Sequence, residues 1–162
     1  MKRKILFIIV TLLATLILGC NNTKRGEIYG KYKFNDVIYL SSLSSSSIDY
    51  IKDNMLKAEY NIEKDNFKII SNEVNYEISK PIYKKKKMNE DMEKAFSESV
   101  LNAVSIKSYK DKYQYTILNS ENVKTNFYIY SLDDEVWIGY YVDNTADNSD
   151  ILMYIYKLEK IN

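Results

Sequence analysis

Histidine is absent from the 162-residue chain, and Cys20 is its one cysteine. Together these facts remove most of the usual chemistry of a small protein. Without an imidazole there is no Ser-His-Asp or Cys-His nucleophile, no His-ligated zinc and no ordinary proton shuttle near neutral pH. Carboxylates, lysines, hydroxyls and tyrosines remain. Two carboxylates converging in a cleft would permit glycan hydrolysis, but a linear sequence names no such pair. The serines of the tract 41–47 would need a base to act as nucleophiles. Lys52 alone does not make a Ser-Lys dyad, and a helix-capping role is the expected one. The acidic stretch 143–150 offers oxygen atoms to a cation. It has neither the spacing of an EF-hand loop nor a bidentate Glu at the twelfth position, and its Asn, Asp and Ser are ordinary turn residues. No metal or organic cofactor is expected.

Two other residue sets are candidates for binding rather than reaction. Sixteen tyrosines occur, alongside heavy use of Lys, Asn and Ile. Codon bias of an A/T-rich genome accounts for the total, whereas the positions carry information. Tyr32, Tyr128, Tyr130, Trp137 and Tyr141 are the candidates for an aromatic ligand-binding surface or, alternatively, for core. The run Lys84, Lys85, Lys86, Lys87 has two readings. It would touch anionic lipid headgroups or wall polymers, or it would guard an edge strand against edge-to-edge pairing, which is preferred.

The elements that must position these residues read as mainly β, or α+β. Strand patterns occupy residues 27–34 and 37–40, separated by the turn pair Asn35-Asp36. The serine tract then opens a helix, with Ser46 and Asp49 approximating a capping box and Ile48, Ile51 and Met55 on one face to about Lys57. Short strands are expected at 60–62, 67–70, 74–78 and 82–88, with Pro81 marking a strand start or a break. A second helix follows Asn89, with carboxylates in its first turn and Met92, Phe96, Val100 and Val104 at four-residue spacing. Runs at 113–118, 126–132, 135–142 and 151–159 form an antiparallel meander, with a tight hairpin at Asp133-Asp134 and a longer one at 143–150. Both faces of these last runs carry apolar or aromatic residues, so each face should be covered by packed elements or should border a semi-apolar cavity. The expected architecture is an antiparallel meander or small barrel with two short helices.

The N-terminus carries an address. Lys2, Arg3 and Lys4 precede an uncharged run at 5–18 that is short for a spanning helix. Ile17-Leu18-Gly19-Cys20 resembles the bacterial lipobox. The resemblance implies a signal peptide at 1–19, a diacylglycerol on the Cys20 thiol and a short tether over 20–26, leaving one β-rich domain at 27–162. The alternative is a plain transmembrane anchor. Loss of residues 1–19 leaves 20 Lys and Arg against 22 Asp and Glu, which gives no global grip on nucleic acid.

Gly30-Lys31-Tyr32 resembles the Gly-x-Trp signature of lipocalins and related calycin barrels, which close around a small apolar ligand. Tyr32 stands where that signature has tryptophan, and Lys157 is a poor substitute for the arginine that packs over it. The stretch from Gly30 to the serine tract also resembles small lipoproteins of low-GC Gram-positive bacteria, a likeness that implies no particular activity.

The expected function is therefore a non-enzymatic binding or sensing domain held at the extracytoplasmic face of the cell membrane, with a small apolar ligand or an envelope protein as partner. A protein-interaction lipoprotein, of immunity or envelope-stress type, is the alternative, and a carboxylate-based glycan hydrolase stands third. The address is tested first. Cys20→Ala should abolish metabolic fatty-acid labelling and leave unprocessed precursor or protein shed into the medium; undiminished labelling would exclude the lipobox reading.

Overall fold

The computed structural model describes residues 27–72, 74–144 and 149–161. Cys20, the signal region and the tip of the 143–150 turn lie outside the described residues. Among the described residues, nine strands and two helices follow one another: β1 (Gly30–Leu40), α1 (Ile48–Met55), β2 (Glu59–Ile62), β3 (Asn66–Ile70), β4 (Asn75–Ser79), β5 (Ile82–Lys87), α2 (Glu90–Ser99), β6 (Lys112–Leu118), β7 (Lys124–Leu132), β8 (Glu135–Asn144) and β9 (Ser149–Ile161). All strands join one antiparallel sheet in the order β4-β3-β2-β1-β9-β8-β7-β6-β5. The fold is mainly β, a curled half-barrel with two short helices.

The curl follows from what touches across it. β3 and β7 stand five places apart in the sheet, roughly 24 Å if it were flat, yet the rings of Phe67 and Phe127 lie 5.8 Å apart. The two edge strands, β4 and β5, are joined by Lys80-Pro81 alone. One extended segment thus borders both edges, its first half paired with β3 and its second with β6. Pro81 sits at the changeover, where a missing N–H breaks no ladder.

Inside the curl lies the larger core, which includes Tyr32, Phe34, Tyr60, Ile62, Phe67, Ile117, Phe127, Ile129, Ile138 and Tyr156. The outer face differs between the two halves of the sheet. On β2 to β4 it carries Glu59, Lys68, Asn75 and Glu77 and meets water. On β7 to β9 it is apolar, and α2 with the segment that follows covers it: Met88, Phe96, Val100 and Ile106 pack on Tyr130, Leu132, Trp137, Tyr141, Leu152 and Ile155. The two-sided covering expected for the C-terminal strands is present.

Local sequence accounts for most boundaries. Asn89 caps α2 by accepting from the Met92 amide at 3.0 Å. Ser47, rather than Ser46, caps α1 by accepting from the Tyr50 amide at 3.2 Å. α2 stops at Ser99, short of the expected Val104, because Leu101 and Asn102 adopt positive φ of 51° and 58°. Asp133, with φ 50°, forms the tight β7–β8 hairpin. Asn35-Asp36 is not a turn: β1 runs through it against β9, with register shifts between Phe34 and Asp36 and between Val37 and Tyr39. Each shift absorbs one extra residue as a bulge, so β1 bends without ending.

Burial pushes the hydroxyls of Tyr32 and Tyr130 up to about 12 and raises those of Tyr60, Tyr141 and Tyr154 as well. An unfolded chain ionises its tyrosines near pH 10. The tyrosine contribution to stability should therefore be intact from neutral pH up to 10 and fall as the pH rises from 10 through 12. Tyrosinate absorbance should show a buried class that appears only as the sheet signal in circular dichroism is lost. Titration of every tyrosine near pH 10 with the sheet intact would contradict this packing.

Candidate functional site

The aromatic set singled out by sequence divides between the two faces of the sheet. Tyr32 lies in the inner core and donates to the Ile28 carbonyl at 2.9 Å. Gly30 beside it, at φ +152°, leaves room for Lys160: an added Cβ would stand 2.7 Å from Lys160 Cε. The Lys160 ammonium sits 6.0 Å from the Tyr32 ring centre, so the cation near this tyrosine is Lys160 and not Lys157. Lys157 pairs with Glu135 at 2.6 Å.

Tyr128, Tyr130, Trp137 and Tyr141 gather on the outer face beneath α2. The Trp137 indole is 3% exposed, meets Tyr109 edge-on at 5.8 Å and donates to Glu135 at 2.9 Å. Tyr109 donates to the same carboxylate oxygen at 3.1 Å. Burial opposes charge on Glu135, but hydrogen bonds from Lys157, Trp137 and Tyr109 more than offset it and hold the carboxyl below its ordinary range. The Tyr130 and Tyr141 hydroxyls share a buried hydrogen bond of 2.6 Å, and Phe96 of α2 meets Tyr130 edge-on. Gly139 leaves no vacancy for a ligand. A Cβ there would stand 3.2 Å from the Tyr130 ring and 3.4 Å from Tyr141, so aromatic side chains already fill that space.

The cleft lies elsewhere. α1 crosses one end of the curl and encloses about 260 Å³ against the inner faces of β8 and β9. Its wall is a stack of three tyrosines. Tyr140 and Tyr154 are 5.2 Å apart at 16°, and Tyr154 and Tyr156 are 4.2 Å apart at 8°. Tyr50, Ile51 and Met55 close it from α1, Leu40, Val74, Val142 and Met153 add to the apolar lining, and Ser44, Ser46 and Asn54 supply polar groups. Among the described residues, no charged side chain lines it. The signal for this wall was Tyr154 and Tyr156 at two-residue spacing. Their alignment with Tyr140 depends on a bulge at Met153, where the register shifts between the pairs Tyr140–Tyr154 and Tyr141–Leu152.

The remaining candidates are quickly placed. Lys52 pairs with Asp36 at 2.8 Å rather than with a serine. A second depression of about 280 Å³ is lined by Lys110, Asp111, Asp133 and Asp134, but the Asp133 carboxylate accepts from the backbone amides of Lys110 and Asp111 and so staples that loop. Among the described residues, no group of three or more acidic or cysteine side chains is arranged to hold a metal ion. Lys84, Lys85, Lys86 and Lys87 are exposed on the edge strand β5. Comparison with models of known protein families, with curated proteins and with solved structures found no match.

Trp137 therefore reads as packed core with a satisfied N–H. Trp137→Ala should lower stability by about 3–5 kcal/mol in denaturant unfolding, and wild-type Trp emission should be blue-shifted and unchanged by small apolar probes. A stability loss below about 1 kcal/mol, or emission quenched saturably by such probes, would contradict the placement.

Proposed function

We propose that this protein is a lipid-anchored lipoprotein of the extracytoplasmic face of the cell membrane, and that its β domain binds, without catalysis, a small neutral and largely apolar ligand in the cleft beneath α1. The carrying observation is the tyrosine-walled, uncharged cleft. Apolar walls with a few convergent polar groups are the ordinary composition of a small-molecule site. An uncharged lining favours an uncharged ligand, since a buried charge would go unpaired there. The volume exceeds the roughly 150 Å³ that accepts benzene and falls below the 300–1,000 Å³, approximately, of drug-sized sites. That range fits one or two rings or a short aliphatic chain. Among the described residues, no pair of carboxylates lines the cleft, as glycan hydrolysis would require. The membrane address is supported by the lipobox pattern ending at Cys20.

A second reading draws on the exposed apolar side chains on and beside α1. Leu43 is 68% exposed, Ile48 46% and Leu56 70%. A protein partner would use this rim instead of the cleft.

Calorimetric titration of a panel of neutral probes, such as p-cresol, indole and medium-chain alcohols, separates the two readings. Ligand binding predicts a saturable heat for at least one probe, weakened tenfold or more by Asn54→Trp, which fills the cleft, and by Tyr154→Leu, which breaks the stack. No saturable heat from any probe would sink the ligand reading and leave the rim as the functional surface.

A further inference from the structure

The edge strand β5 presents four successive lysines, all exposed. Opposite them on β6 stand Thr116, Tyr115, Gln114 and Tyr113, none of them acidic. Lys85 lies over the Tyr113 ring at 4.0 Å. Among the described residues, Lys84, Lys86 and Lys87 pair with no carboxylate; neither do Lys31, Lys57, Lys64, Lys80, Lys107, Lys110 and Lys160, but those are scattered along the chain, whereas β5 gathers its lysines on one edge. Charged side chains guard an edge strand, and four in succession also concentrate positive charge at this one edge.

The place of β5 in the fold gives the charge a direction. Where the chain enters the domain, the Tyr29 ring meets the Tyr83 ring edge-on at 5.8 Å. Every neighbouring pair in the sheet is antiparallel, and β1 and β5 stand five places apart, so they run in opposite senses. From their shared starting point, β1 leads to Leu40 and the cleft, and β5 leads the other way. Nine peptide steps lead from Cys20 to Tyr29, a reach of at most roughly 32 Å. A lipid on Cys20 would thus hold the start of β5 near the headgroups with the cleft at the far end.

We propose that β5 is the face of the domain that lies on the bilayer, with Lys84, Lys86 and Lys87 set against the phosphates of anionic lipids. The proposal rests on the reading that Cys20 is lipidated. A basic side chain is attracted to an anionic leaflet within about one Debye length, and one lipid signal together with a basic patch anchors more firmly than either alone. With β5 on the membrane, the cleft opens toward the aqueous side, so its ligand arrives from solution.

The test uses the chain from Asn21 onward; both cores and every element among the described residues lie within 28–161 and are retained. Its co-sedimentation with vesicles of mixed phosphatidylglycerol and phosphatidylcholine should exceed that with phosphatidylcholine alone and fall steeply as salt rises. Replacing Lys84, Lys85, Lys86 and Lys87 with Gln should weaken binding at least about tenfold. Replacing Lys33, Lys52, Lys68 and Lys94 with Gln should leave most of it. If the β5 variant loses the wild-type circular dichroism, Lys84→Gln with Lys86→Gln takes its place. Equal binding by the β5 variant, equal binding to neutral vesicles, or binding to soluble poly(glycerol phosphate) without binding to vesicles would each overturn the assignment, the last in favour of a wall polymer. Because this chain lacks Cys20, the result is independent of lipidation, which fatty-acid labelling reads separately.

Discussion

Strands β7, β8 and β9 are apolar on both faces, and the rest of the structure answers to that constraint. Phe127, Ile129, Ile138, Tyr156 and Leu158 point one way, while Tyr130, Leu132, Trp137, Tyr141 and Ile155 point the other. Leaving either set in water would forfeit about 1.5–3 kcal/mol per large side chain. The sheet therefore curls to cover the first set with β2, β3 and β4, and α2 with its following segment covers the second. β2, β3 and β4 are covered on one face only, which is why their pattern alternates and their outer residues, Ile70 excepted, are polar.

Dense aromatic packing brings hydroxyl, indole and amide groups that must be satisfied wherever they are buried. Glu135 collects Trp137, Tyr109 and Lys157 at one corner of the outer core, and Tyr130 and Tyr141 satisfy each other in its middle. The Lys112–Glu93 pair, at 2.6 Å and largely shielded, ties α2 to β6 beside the same core. On the inner side, α1 caps one end of the curl less completely. What it leaves is the cleft, so the candidate site is the part of the two-sided covering that is not filled by side chains.

Much of this was legible in the sequence. Period-two patterning located the meander, its two-faced apolarity called for cover on both sides, and Asn89 and Asp133 marked a helix start and a hairpin through local hydrogen bonding and backbone freedom. Asn35-Asp36 misled because a turn signal and a bulge signal use the same residues; only the long partner β9 decides between them. The cleft was hidden for a related reason. Trp137 and Tyr141 draw attention as large aromatics, yet the tyrosines that form a wall are on the opposite face, and their stacking needs the cross-strand register and the extra residue at Met153. Register of that kind is a property of two strands together, and no single strand records it.

If the two-sided core is the foundation, local stability should grade across the sheet. Native-state amide hydrogen exchange reads this directly. The account predicts that amides of β7, β8 and β9 exchange slowest, through global unfolding, while those of β3 and β4 exchange faster through local opening. Protection in β3 and β4 equal to or greater than that in β7, β8 and β9 would contradict it.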